Sequence, residues 1–131
     1  MANFKDCPLV LPIKEEADGY CALISCGSIL KGKRRKWHSD RCRLKYTHSL
    51  LDNHYWSYAR KAAKKRDKVC VTCGSDIKLE VNHIAPLVGS GYGPSHSHHL
   101  SNLQVLCHKC HVKVTSAQRR IRKAVKSWIA Q

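Results

Sequence analysis

The sequence predicts a small α+β fold stapled by zinc, and three observations carry that prediction. Two Cys-x-x-Cys pairs, Cys70/Cys73 and Cys107/Cys110, bracket a segment patterned as strand, loop and strand, with a helix following from about His108. Zinc takes four thiolates tetrahedrally, and a Cys-x-x-Cys turn offers two sulfurs to one ion without strain. A second cysteine-rich stretch lies upstream, between Cys21 and Cys42, and helical patterning fills most of the remainder.

Composition sets the outer bounds. A chain of 131 residues is one domain or two very small ones. So short a chain buries a modest core, and metal staples are expected to supply stability. Lys and Arg number 24 against 9 Asp and Glu, a formal charge of +15. A balance that basic points to a polyanionic partner, nucleic acid first. Eight cysteines without a secretory signal point to a reducing compartment, the cytoplasm, and to bound zinc rather than disulfides. No apolar run approaches the roughly 20 residues that span a membrane, which excludes a membrane helix.

Residues 1–45 form the first expected module. Met1 to Glu16 reads as an irregular lead-in, with Pro8 and Pro12 discouraging regular structure. Cys21, Cys26 and Gly27, a basic segment, and then Trp37-His38-Ser39-Asp40-Arg41-Cys42-Arg43 follow. This order resembles small zinc fingers, with His38 where those usually carry cysteine. The expected ligands are Cys21, Cys26, His38 and Cys42, imidazole being an acceptable substitute for thiolate. Cys7 is left over, as a free thiol or as a replacement for one of the four. Lys31, Lys33, Arg34, Arg35 and Lys36 place five basic residues in six, expected on a hairpin tip against a phosphate backbone.

Residues 46–69 form a basic connection. From about Arg41 to Arg66, Leu44, Leu51, Tyr55, Ala59 and Ala62/Ala63 recur at helical spacings. A break is expected between Tyr46 and Asn53, where Thr47, Ser49 and Asn53 are poor helix formers. Lys64, Lys65 and Arg66 load the last turn with charge that suits a helix C-terminus and DNA. Trp56 and Tyr58 read as core or interface residues rather than base-stacking platforms.

Residues 70–131 hold the zinc-pinned ββα unit. Lys78 to Ile84 alternates apolar and polar residues like a half-buried strand, Gly89 to Pro94 is a loop, and Leu103 to Leu106 is a second strand. His83 then ends the first strand and His111 begins the helix, so both can face one cleft. After His111, Val114, Ala117, Ile121, Ala124, Val125, Trp128 and Ile129 form an apolar stripe expected to pack. Arg119 and Arg120 lie on the opposite, basic side, expected to support DNA.

The run of C-x-x-C, L-E-V-N-H-I-x-P, a Gly-rich loop and S-N-L-Q-V-L-C-x-x-C-H-x-x-K resembles the HNH endonucleases of the ββα-metal superfamily, over roughly Trp56 to Thr115. The three residues of the family name correspond to His83, Asn102 and His111. The resemblance implies His83 as the general base that takes a proton from the attacking water. Asn82 and His111 would hold one divalent cation, Mg²⁺, Mn²⁺, Ni²⁺ or Zn²⁺. Asn102 would fix the loop and orient His83, or lend an oxygen to that ion. The family commonly has Asp where this chain has Asn82, and an amide oxygen binds Mg²⁺ more weakly than a carboxylate. His99 is a further candidate for the metal shell, while His96 and His98 read as polar loop residues. The fold class expected is therefore small α+β and zinc-stabilised, a ββα-metal unit with an N-terminal zinc-finger module and flanking helices.

Two functions stand against each other. One is a metal-dependent endonuclease on double-stranded DNA with little sequence specificity, as monomer or homodimer, with one or two structural zinc ions. The other is a zinc-finger nucleic-acid-binding protein without cleavage, kept open by Asn82. Both require nucleic-acid affinity, so only cleavage separates them.

Overall fold

A computed structural model describes residues 4–87 and 91–130 of the chain. Residues 88–90 lie outside that range, Gly89 and Ser90 of the expected glycine-rich loop among them, as do 1–3 of the lead-in. β1 (Leu79–His83) and β2 (Leu103–Cys107) form an antiparallel pair, with Leu79 opposite Cys107 and His83 opposite Leu103. Side chains alternate across a strand. Leu79, Val81, His83, Leu103 and Val105 therefore share one face, and Glu80, Asn82, Gln104 and Leu106 share the other.

Each face is covered by a different helix. α1 (Asp40–His54) and α2 (Trp56–Arg66) precede the sheet, and α3 (His108–Ile129) follows it. α2 lies on the first face. Its small Ala59 and Ala63 are fully buried against Leu103 and Val105, with Trp56, Val81 and Leu100 around them. Burying a side chain the size of Leu103 or Val105 contributes roughly 1.5–3 kcal/mol. α3 covers the second face at Leu106, where Cys110 and Val114 pack together with Cys70 and the strand-end Cys107.

The apolar stripe expected to pack along all of α3 does not. Val125, Ile129 and Trp128 stand open to solvent, Trp128 at 78% exposure. Length explains this. A helix of 22 residues is about 33 Å long. A strand of 5 residues covers only about 17 Å. Only the first turns of α3 have a sheet beneath them.

The expected helix break also moves. α1 runs unbroken through Thr47, Ser49 and Asn53, whose side-chain donors are taken up by carbonyls of the helix itself, at Arg43, Tyr46 and Ser49. The break falls at Tyr55, which is extended with φ −110° and ψ 123°. There the His54 carbonyl accepts from the Ser95 N–H at 2.9 Å, joining α1 to the loop between the strands.

Upstream of α1 the chain is tied by two isolated bridges, Ile13 to Leu23 and Tyr20 to Ile29, rather than by a hairpin ladder. Lys31–Lys36 is a turn through Gly32 at φ +63°, with all five basic side chains exposed. No described helix is long and apolar enough to cross a membrane.

Candidate active site and metal-ligand groups

Two short 3-10 turns, His96–His98 and Leu100–Asn102, lead into β2 and fix the loop that follows β1. Asn102 is the pin. Its Oδ1 accepts from the Ala85 N–H at 2.8 Å, and its Nδ2 donates to the carbonyls of Ser97 at 2.9 Å and Ala85 at 3.2 Å. Its backbone carbonyl accepts from Ile84 N–H at 2.8 Å. Every polar group of this residue is spent on loop geometry.

His83, at the end of β1, is 7% exposed. Its ring stacks on Trp56 at 4.8 Å between centroids, and its Nε2 lies 3.0 Å from His98 Nδ1. His98 is fully buried, and its Nε2 lies 2.9 Å from the Gly93 carbonyl. A carbonyl only accepts, so His98 Nε2 carries the hydrogen and His98 Nδ1 offers a lone pair. His83 Nε2–H then donates to it. The lone pair of His83 is thereby left on Nδ1, which has no hydrogen-bond partner among the described residues. Burial, reinforced by neighbouring His98, lowers the His83 pKa to about 4. The ring is neutral at physiological pH.

His83 lines a cleft of about 330 Å³ together with Asn82, Tyr92, His111, Gln118 and Arg119. Gln118 Nε2 donates to the carbonyls of His83 at 2.9 Å and Ile84 at 3.1 Å, holding α3 against the strand end. Asn82 is buried, and its Oδ1 accepts from Gln104 Nε2 at 3.1 Å across the strand pair. On the same face, Glu80 Oε2 lies 2.9 Å from His111 Nδ1 and 3.2 Å from His108 Nδ1. The His111 hydrogen bond, joined by that from His108, holds the Glu80 carboxyl below its usual range. Trp56, Glu80, His98 and Gln118 were not singled out from sequence as site residues. For Glu80 the signal was present, since a residue two before Asn82 shares its strand face.

The cysteines gather in two groups. Cys70, Cys73, Cys107 and Cys110 bring their sulfurs within 4.8 Å of one another, with Cys73 and Cys107 3.5 Å apart. Four thiolates about 2.3 Å from one zinc lie about 3.8 Å apart, so the spacing suits that ion. Backbone N–H groups of Cys107, Cys73 and Thr72 outweigh the desolvation of Cys70 and bring its pKa to about 6, toward the thiolate that metals bind. Cys21, Cys26 and Cys42 form the second group. The Ser28 hydroxyl and N–H bring Cys26 to about 6. The His38 ring, expected as fourth ligand, stays outside and is exposed. It is the His38 backbone N–H that meets Cys21 Sγ, at 3.3 Å.

Two other expectations shift. His99 turns to Cys7, His54 and His96, not to the His111 cleft. Arg66, expected to face DNA, donates to the carbonyls of Leu100 and Leu103 at 2.6 Å each and pairs with Asp67 at 2.7 Å. Lys64, Lys65, Arg119 and Arg120 are exposed, and of these Arg119 alone borders the cleft.

A histidine at a strand end, an asparagine pinning the loop and a histidine in the first turn of the following helix define the HNH class of nucleases. Residues 70–117 match the HNH endonuclease family. The chain is also 38% identical over 77 residues to a protein of Lactococcus phage SK1 named "Probable HNH endonuclease", across 56% of this chain and 81% of that one. This chain belongs to the HNH endonuclease family. No solved structure matches it.

Proposed function

We propose that the chain is a divalent-metal-dependent endonuclease that hydrolyses DNA phosphodiester bonds, with His83 as the general base. The relay from the Gly93 carbonyl through His98 to His83 carries this reading, because it fixes the tautomer and leaves Nδ1 as the accepting atom. Trp56 stacking and the buried His98 hold the ring in one orientation, so the lone pair is aimed before substrate arrives.

The donors facing α3 fit a divalent cation. Glu80 lies where it accepts the Nδ1–H of His111, so that in the neutral imidazole Nε2 is the lone pair, the carboxylate–histidine arrangement that supports metal ligands. His111 Nε2 and the Asn82 amide oxygen would hold the ion, and the charge of Glu80 offsets the one Asn82 lacks. When bound, such a cation polarises the scissile phosphate and stabilises the leaving 3′-oxygen. Arg119, bordering the same cleft, suits a phosphate contact. Zinc at the four-cysteine group would tie the frame, and zinc at the three-cysteine group would order 1–45, with His38 the adjacent side chain able to supply a fourth donor. The exposed Lys31–Lys36 turn and the basic side of α3 fit non-specific phosphate contacts to double-stranded DNA.

Nicking of supercoiled plasmid with Mg²⁺, Mn²⁺, Ni²⁺ and Zn²⁺ in turn tests the proposal. Cleavage is expected to fall about 10²–10⁴-fold in His83→Ala. Glu80→Gln is expected to raise the metal concentration required about 10–100-fold. Asn82 alone favours a second reading, a protein that binds without cutting. Wild type that retains plasmid with every metal and cuts it with none would establish that reading.

A further inference from the structure

A third ligand group lies apart from both cysteine groups and from the cleft. Cys7, His54, His96 and His99 bring one donor atom each within 4.8 Å of one another. They come from four places: the N-terminal lead, the last residue of α1, and the start and end cap of the first 3-10 turn. Cys7 and His54 are buried. His99 Nε2 lies 3.1 Å from His54 Nε2, 3.1 Å from His96 Nδ1 and 3.7 Å from Cys7 Sγ.

Hydrogen bonds alone serve this arrangement poorly. His54 Nδ1 lies 2.9 Å from the Leu50 carbonyl and must donate to it, so His54 Nε2 is a bare lone pair. His99 Nε2 carries one hydrogen at most, and it faces three neighbours. A shared cation serves all four. Around a tetrahedral zinc with Zn–N near 2.05 Å and Zn–S near 2.3 Å, ligand nitrogens lie about 3.3 Å apart and nitrogen and sulfur about 3.6 Å apart. The observed separations of 3.1, 3.1 and 3.7 Å match that pattern. The Leu50 carbonyl behind His54 is the outer partner that orients a ligating imidazole.

We propose that Cys7, His54, His96 and His99 form a third zinc site, of one thiolate and three imidazoles. Four protein ligands close the shell, so the role is structural. The site joins the N-terminal lead and the end of α1 to the 3-10 turn that carries His98. It therefore braces the relay behind His83, a consequence that rests on the nuclease reading, whereas the metal site itself does not. Phe4 stacks on His54 at 4.2 Å and shields one side.

Zinc content and cobalt spectra of the full-length chain test the site without reference to cleavage. Cys7→Ser and His99→Ala are each expected to hold one zinc equivalent fewer than wild type after equal dialysis. In cobalt-loaded protein, His99→Cys is expected to gain the sulfur-to-cobalt charge-transfer absorbance of one thiolate, and Cys7→Ser to lose as much. Should His99→Ala unfold and release all its metal, His99→Cys decides alone. Unchanged zinc in both deletion variants, or unchanged charge-transfer absorbance in His99→Cys, overturns the proposal.

Discussion

The four-cysteine group at 70–110 and the three-cysteine group at 21–42 are made of one kind of side chain and are held by different means. Cys107 ends β2 opposite Leu79, and Cys110 follows in the first turn of α3. Val71 N–H donates to the Val105 carbonyl at 3.0 Å, which brings the Cys70/Cys73 turn onto the same strand. Register, helix start and turn therefore converge on one point. Upstream the described residues form no named strand: two isolated bridges, single backbone hydrogen bonds such as Cys21 N–H to the Ser28 carbonyl at 2.8 Å, and the Ser39 cap of α1, whose Oγ accepts from the Cys42 N–H at 3.3 Å, hold the segment. Two of the three buried residues in that core, Cys21 and Cys42, are ligand candidates themselves. In the ββα unit both strands and the helix start converge on the candidate ligands, so an ion there would hold all three, whereas in the N-terminal module the candidate ligands are themselves much of a small core.

The largest effect should come from Cys107→Ser. Structural zinc sites in small peptides carry apparent binding free energies of about 10–16 kcal/mol. That is comparable with the roughly 5–15 kcal/mol of total stability of a domain. Removing this ligand is expected to unfold β1, β2 and the start of α3 together and to abolish cleavage, read by amide exchange and by plasmid nicking. A variant that keeps its strand amides protected would show that the ladder stands without the ion.

Cys42→Ser should do less. Loss of order is expected in the upstream module, with fast exchange at Ala22 and Ile24, while β1 and β2 amides stay protected. Plasmid affinity should fall, because the Lys31–Lys36 turn hangs from that module through the Ala22 N–H to Lys36 carbonyl bond of 2.8 Å. Cleavage at saturating protein should persist. Collapse of both regions in Cys42→Ser would erase the distinction between them.

The same contrast explains what the sequence could disclose. Cys70, Cys73, Cys107 and Cys110 were legible because a two-residue gap within each pair and strand periodicity between them fix where the sulfurs go. His83, Asn102 and His111 were legible through the family motif that surrounds them. The Cys7 group was not, since its members lie up to 92 positions apart and meet only after α1 has folded back on the inter-strand loop. The spacing of His38 put the residue beside Cys21 but left the direction of its ring open, because a spacing rule says nothing of side-chain orientation. Trp56 read as core, and its contact with His83 depends on the break at Tyr55, which no local propensity marked. The α3 stripe was legible as a pattern, but the pattern says nothing of how short the sheet beneath it is.

The smallest expected effect sets one carboxylate in each region against the other. Asp18 is held below its usual pKa by its hydrogen bond to Lys14, and Asp67 by its hydrogen bond to Arg66. Asp18 sits on an exposed turn, where ion pairs are screened and give little. The Asp67 side chain is 19% exposed, and its partner Arg66 also grips the Leu100 and Leu103 carbonyls, so the pair helps lock α2 to the turn before β2. A depressed carboxylate pKa adds stability that is present above the unfolded value, near 3.9, and is lost as pH falls through the folded one. Asp67→Asn is therefore expected to lower stability by on the order of 1 kcal/mol at pH 6, and the gap to wild type should narrow below about pH 4. Asp18→Asn should leave urea midpoints unchanged across that range. Equal losses in the two variants would mean that the upstream turn is as firmly built as the ββα unit, against the contrast drawn from their hydrogen bonds.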